Sequence, residues 1–113
     1  MNKNLKVFKF GGASVKDAAS IKNVLDITNT FKEEQLVIVV SAMAKTTNNL
    51  EKIVDLYTSG ADAFEELEKI QQFHYRIAAE LFENPLELQT SLNDTFVEIE
   101  WLLEEPMDCL LYT

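Results

Sequence analysis

The apolar positions of the chain change period twice. Leu5 to Phe10 packs β-branched and aromatic residues into six positions and ends at Gly11-Gly12, which predicts a strand and a turn. Ala18, Ile21, Val24, Leu25, Thr28 and Phe31 then recur at helical spacing, predicting an amphipathic helix from about Lys16 to Glu33. Leu36 to Val40 reads LVIVV, a second strand that is apolar on both faces and so suits a parallel sheet covered by helices on both sides. Leu50, Ile53, Val54 and Tyr57 mark a second helix, with Ser59-Gly60 as its stop. Strand, helix, strand, helix is a βαβα start, the pattern of an α/β fold with a right-handed crossover.

Beyond Gly60 only the helical period remains. Phe64, Leu67, Ile70, Ile77, Ala78 and Leu81 predict a long helix from about Ala61 to Glu83. Asn84-Pro85 breaks it, with Asn84 suited to an N-cap and Pro85 to a first helical position. Leu88, Leu92, Phe96, Ile99 and Leu103 predict a further helix ending before Pro106, so that 61–105 forms an antiparallel helical hairpin. Trp101, with Phe96 and Leu103, is expected in the core, the alternative being that it faces the remainder of the domain. No repeat or low-complexity segment interrupts the pattern, and no linker divides it. Two visible strands leave sheet edges unpaired, and Met107 to Thr113 is apolar without a stop. The expectation is a chain whose remaining strands lie elsewhere, and exposed edges that favour a homo-oligomer.

Composition narrows the class. The 113 residues are 47% apolar and 26% charged, ordinary values for a globular chain. No apolar run approaches the roughly 20 residues of a membrane helix, and the N-terminus carries no secretory h-region. Cys109 is the single cysteine, so no internal disulfide forms, in keeping with a cytoplasmic location. The net charge of −9 is unevenly spread. Residues 1–50 hold seven lysines against four acids, whereas 51–113 hold three basic residues against fifteen acids. Such an acidic chain is unsuited to nucleic acid, and its acid-rich half reads as a solvated helical face. An anionic ligand is to be sought in the basic half.

Two segments there carry candidate chemistry. Lys9-Phe10-Gly11-Gly12-Ala13-Ser14-Val15 joins the first strand to the first helix. Glycines allow a sharp turn and a close ligand approach, a helix start offers unpaired N–H groups, Lys9 adds charge and Ser14 a hydroxyl. The residues alone leave two readings open: a plain tight turn, the commoner use of Gly-Gly, or a phosphate cradle. Neither GxxxxGK[ST] nor GxGxxG is present. The second segment, Ser41-Ala42-Met43-Ala44-Lys45-Thr46-Thr47-Asn48, follows the second strand, where open parallel sheets bind ligands. Ser41 and Thr47 are hydroxyls suited to a small polar substrate, although Thr46, Thr47 or Asn48 equally suits a helix cap. His74 and Cys109 have no catalytic context, and Asp62, Glu65, Glu66 and Glu68 lack a calcium-loop spacing.

Taken together, KFGGASV and VVSAMAKTTNNL, one helix apart, resemble the opening and second signatures of the aspartokinases, members of the amino-acid kinase superfamily. The resemblance is specific over residues 5–50 and architectural over 61–105. Other kinases of the superfamily share a Lys and a Gly pair but not the SAMAKTTN segment. Ala13 stands where the family commonly has Thr, and Lys45 where many members have Gly. The Ala44-Lys45 pair looks more like the aspartokinases fused to homoserine dehydrogenase.

The resemblance implies that 1–113 is the N-terminal part of one amino-acid kinase domain, with 1–60 binding phosphate and substrate and 61–105 the hairpin. Lys9 would neutralise the transferring phosphoryl group of ATP, Gly11, Gly12 and Ser14 would contact the phosphates, and Ser41 and Thr47 would help bind L-aspartate. Magnesium would accompany ATP, with no ligand identified in this chain. An SHGE-type segment and a later Arg-Gly-Gly-Ser-Asp segment, which the family uses for aspartate binding and catalysis, are expected beyond residue 113. The chain alone is therefore expected to be inactive. Rival readings are another amino-acid kinase and a non-catalytic phosphate-binding or assembly module.

Overall fold

A computed structural model describes residues 4–106. Its elements follow the order β1 (Leu5–Phe10), a 3₁₀ turn (Gly12–Val15), α1 (Ala18–Thr30), β2 (Gln35–Val40), α2 (Thr46–Thr58), α3 (Phe64–Leu81) and α4 (Leu86–Glu104). The α/β start and the following helical pair are as the hydrophobic pattern predicts. The chain forms two compact units, residues 1–46 and 47–113.

In the first unit β1 and β2 pair in parallel, from Leu5 opposite Gln35 to Phe10 opposite Val40. Parallel pairing needs a crossover, and α1 with its flanking turns supplies it. Pleating divides β1 into two faces. Lys6, Phe8 and Phe10 are half-buried to buried, while Leu5, Val7 and Lys9 are exposed. Phe31, just past α1, meets Phe8 edge to face with ring centroids 5.1 Å apart. Such a pair adds about 0.5–1.5 kcal/mol beyond its buried area. Lys6 lies over the same Phe31 ring and reaches Glu34 at 3.7 Å, which ties the entry of β2 to β1.

Two expectations for this unit need correction. The first helix does not run from Lys16 to Glu33. It is shorter because Gly12–Val15 turns as a 3₁₀ segment and Asp17, in extended conformation, caps α1 by accepting from the Ser20 N–H at 2.8 Å. Nor is LVIVV covered on both faces. Val37, Ile38, Val39 and Val40 are 44–58% exposed, because among the described residues the sheet has only two strands.

The second unit is helical. Ile53 of α2, Ala63 before α3, Leu67 and Ile70 of α3, and Phe96 of α4 form its core, with Leu56, Tyr75, Leu92, Ile99 and Leu103 packed around them. Each fully buried aliphatic side chain contributes about 1.5–3 kcal/mol. The α3 and α4 helices run antiparallel, since partners ascend on one helix and descend on the other. Gln71 donates to Glu100 at 3.0 Å, while His74 and Tyr75 meet Phe96 ring to edge. His74 is thus a packed residue, with Nδ1 2.8 Å from the Ile70 carbonyl oxygen. Lys52 and Lys69 both reach Glu66, and the Tyr57 hydroxyl donates to the Glu105 carbonyl. Gly60, at φ +81°, closes α2 in a conformation that suits glycine.

The helix starts differ from expectation by a few residues. Asp62 accepts from the Phe64 N–H at 2.9 Å, so α3 begins after the Ala61–Ala63 link. Pro85 itself occupies the cap of α4, with Asn84 one position before it. Trp101 is not a core residue. It is 63% exposed, on the face of α4 opposite the stripe that carries Phe96 and Leu103 inward. Met107 to Thr113, including Cys109, lies outside the described residues.

Candidate phosphate-binding site

The register of the sheet decides where the two sequence motifs lie. Because Phe10 stands opposite Val40, β1 and β2 end level, and the segments after them leave the same edge of the sheet. The Ser41 N–H donates to the Phe10 carbonyl at 3.0 Å and extends the pairing by one step. Beyond it the Ala44 N–H donates to the Gly12 carbonyl at 3.2 Å. The glycine turn and the Ser41–Lys45 loop are thus joined, at the carboxyl ends of parallel strands where open α/β sheets bind ligands.

Lys9 is the penultimate residue of β1, exposed, on the face it shares with Leu5 and Val7. No carboxylate among the described residues pairs with it. Gly11 is extended at φ −78° and ψ 179°, with open space where a Cβ would stand, so its glycine is not required by the backbone. Gly12 is different. A Cβ there would stand 2.6 Å from the Ala44 carbonyl oxygen, so the position admits no side chain without moving backbone. The chain turns here as expected, in a 3₁₀ segment, but neither glycine has positive φ, and the close approach that requires Gly12 is to the Ala44 backbone.

The Ser14 N–H closes the 3₁₀ turn onto the Gly11 carbonyl at 3.0 Å. The N–H groups of Gly12 and Ala13 precede that first bond and have no acceptor within the turn. The Ser14 side chain is exposed, while Val15 and Ala18 are buried and anchor the turn from its far side. The N-terminus of α1 does not supply the anion site expected of it. Asp17 already fills that position, and hydrogen bonds from the Ser20 hydroxyl and then its N–H hold the Asp17 carboxyl below its ordinary range.

On the second loop Ser41 is exposed and its hydroxyl donates to the Ala42 carbonyl at 2.9 Å. Thr46 is a buried structural hydroxyl, donating to the Met43 carbonyl at 2.6 Å. Thr47, exposed at the start of α2, belongs to the second unit. There it lines an open groove of about 360 Å³ with Leu50, Glu51, Val54 and Asp55. Among the described residues no three His, Cys, Asp or Glu side chains come together as metal ligands, and no helix is long and apolar enough to cross a membrane.

Sequence reasoning missed two residues here. Asp17 was legible, since an acid three positions before Ser20 and just ahead of the periodic apolar run is a helix-start signal. Ala44 was not. It adopts φ +50°, and alanine advertises no preference for that conformation.

The architecture is that of a partial α/β domain, with two parallel strands and four helices among the described residues. Residues 4–98 match the model of the amino acid kinase family, and the chain belongs to that family. It is 46% identical over 102 residues to Aspartokinase 1, chloroplastic, of Arabidopsis thaliana, a match covering 87% of this chain and 17% of that protein. Aspartokinase 2 and Aspartokinase 3, both chloroplastic and from the same plant, are each 44% identical over 79 residues, covering 66% of this chain and 14% of theirs.

Proposed function

We propose that this chain is the N-terminal part of an aspartate kinase domain, in which 1–60 supplies the phosphate- and substrate-binding segments and 61–105 the helical hairpin. The observation that carries the reading is the meeting of the Lys9–Val15 turn with the Ser41–Lys45 loop at one edge of a parallel sheet. The similarity to plant aspartokinases over most of this chain supports it.

In this reading Lys9 neutralises the γ-phosphoryl group of ATP, while the N–H groups of the Gly11-Gly12 turn and the Ser14 hydroxyl bind phosphate oxygens. Ser41 and Thr47 help hold L-aspartate. A side-chain carboxylate oxygen of aspartate attacks the γ-phosphorus, the bond from that phosphorus to the bridging oxygen breaks, and aspartyl phosphate and ADP leave. The phosphoryl group passes directly between substrates, so positioning and charge stabilisation do the work. Magnesium enters with ATP, and none of its ligands is assigned to this chain. The product opens lysine, threonine and methionine biosynthesis. Cytoplasmic location and assembly with further copies belong to the same proposal. So does a parent fused to homoserine dehydrogenase, which rests on Ala44-Lys45 alone.

The test is ADP release with Mg-ATP, with and without aspartate. The isolated chain should show no aspartate-dependent turnover, and measurable turnover would refute its being only part of the site. In the longer enzyme Lys9→Ala should lower kcat by about 10²–10³-fold, the scale of losing one stabilising donor. An unchanged kcat would remove Lys9 from its role. The family holds kinases for other acids, so profiling glutamate and acetylated amino acids beside aspartate decides the acceptor.

A further inference from the structure

Ala44 lies outside the residues assigned to phosphate or aspartate, yet it is the point at which the two loops meet. Its N–H donates to the Gly12 carbonyl at 3.2 Å, and its own carbonyl oxygen would stand 2.6 Å from a Cβ at Gly12. Both contacts involve one residue on each loop, so the loops interlock by backbone alone. The interlock requires an unusual conformation. Ala44 sits at φ +50°, the left-handed region that β-branched residues resist and glycine accepts freely. Neighbouring bonds hold it there: the Ser41 N–H bonds the Phe10 carbonyl at 3.0 Å on one side, and the Thr46 hydroxyl bonds the Met43 carbonyl at 2.6 Å on the other.

We propose that Ala44 is a positioning residue that locks the Ser41–Lys45 loop to the glycine turn, fixing the spacing between the acceptor-binding and phosphate-binding segments. The proposal rests on the kinase reading for its purpose but not for its geometry. Gly12 is glycine because the Ala44 carbonyl occupies the space of a side chain, and the residue at 44 must tolerate a positive φ, which a β-branched residue resists. A phosphate held by the N–H groups of the turn then lies at a set distance from Ser41, whose loop cannot slide along the sheet edge.

The experiment uses the whole chain, labelled for NMR, as wild type, Gly12→Ala, Ala44→Val and Ala44→Gly. In the wild type the Ala44 amide should exchange slowly. In Gly12→Ala and Ala44→Val it should exchange at least about tenfold faster, with the amide shifts of Gly11 to Ser14 displaced and those of α3 and α4 unchanged. In Ala44→Gly the amide should remain protected, because glycine holds the same conformation without strain. ATP titration adds the functional arm: affinity should fall about tenfold in Ala44→Val and stay within about twofold of wild type in Ala44→Gly.

Equal protection of the Ala44 amide in the wild type and Gly12→Ala would overturn the interlock. So would native turn shifts and native ATP affinity in Ala44→Val. Should Ala44→Val fail to fold, Gly12→Ala and Ala44→Gly decide the question, and loss of protection in Ala44→Gly would refute it. Absence of ATP binding by the wild type would count against the phosphate site itself, while the exchange comparison still decides the interlock.

Discussion

At the scale of single residues, Lys9 and Asp17 show how charge is divided around the glycine turn. Lys9 is exposed and unpaired by any described carboxylate, whereas Asp17 is committed to its own helix through Ser20. Phosphate affinity should therefore depend on Lys9: Lys9→Ala should weaken ATP binding by about tenfold, the cost of roughly 1.4 kcal/mol for one partly screened charge, as read by titration calorimetry. Asp17 contributes to the pH dependence of stability, beside Glu66, whose carboxyl Lys69 and Lys52 also hold below its ordinary range. The folded Asp17 carboxyl titrates below the ordinary value of 3.8, so the unfolded chain binds the proton first. The stability it gives is present above about pH 4 and lost as pH falls through the folded value. Helicity followed by circular dichroism should drop in that acid range, and Asp17→Asn should cap α1 without that component of the pH dependence. A native-like acid profile in Asp17→Asn would contradict the capping role. The cap was readable in the sequence, whereas the conformation of Ala44 was not, because it arises from a contact between loops far apart along the chain.

At the scale of elements, legibility followed the length of the periodic signal. The stripes of α3 and α4 named core residues correctly, since Leu67, Ile70, Ile77, Ala78 and Phe96 are all buried. They failed at Phe64 and Leu88, which are exposed at the starts of the two helices, and Trp101, expected in the core beside the stripe, is exposed because its helical position points away from Phe96. The start of α1 was misplaced because a 3₁₀ turn carries no apolar period of its own. The packing implies a concrete expectation. Leu67 is 1% exposed and touches the residues that join α2, α3 and α4. Leu67→Ala should cost about 2–5 kcal/mol, measured by urea unfolding of the helical signal. A loss below about 1 kcal/mol would mean that the three helices do not share one core.

At the scale of the whole molecule, the open sheet edge meets a large net charge, and the balance between them sets how the chain behaves in solution. The two strands differ in how they guard their edges. Lys6 and Lys9 place like charges along β1, which discourages pairing with a copy of itself. Gln35 to Val40 has no charge, proline or glycine, and four of its side chains are largely exposed. Such a six-residue strand is the kind that pairs with its own copy, in an arrangement that a two-fold axis closes. Against it stands the net charge of −9, which arises wholly from the acid-rich residues 51–113 and repels a second copy over a distance that salt shortens to about 8 Å at physiological ionic strength. Self-association should therefore be weak in low salt and strengthen as salt rises, the reverse of a salt-bridged dimer. Light scattering during size-exclusion chromatography should show mass rising with both protein and salt concentration. Val39→Lys, which adds a charge to the exposed β2 strand without opening a core, should hold the chain monomeric in the same salt. A monomer at every salt and protein concentration would show that charge alone suffices to protect the edge. Association that weakens with salt would move the interface from β2 to the acidic helical unit.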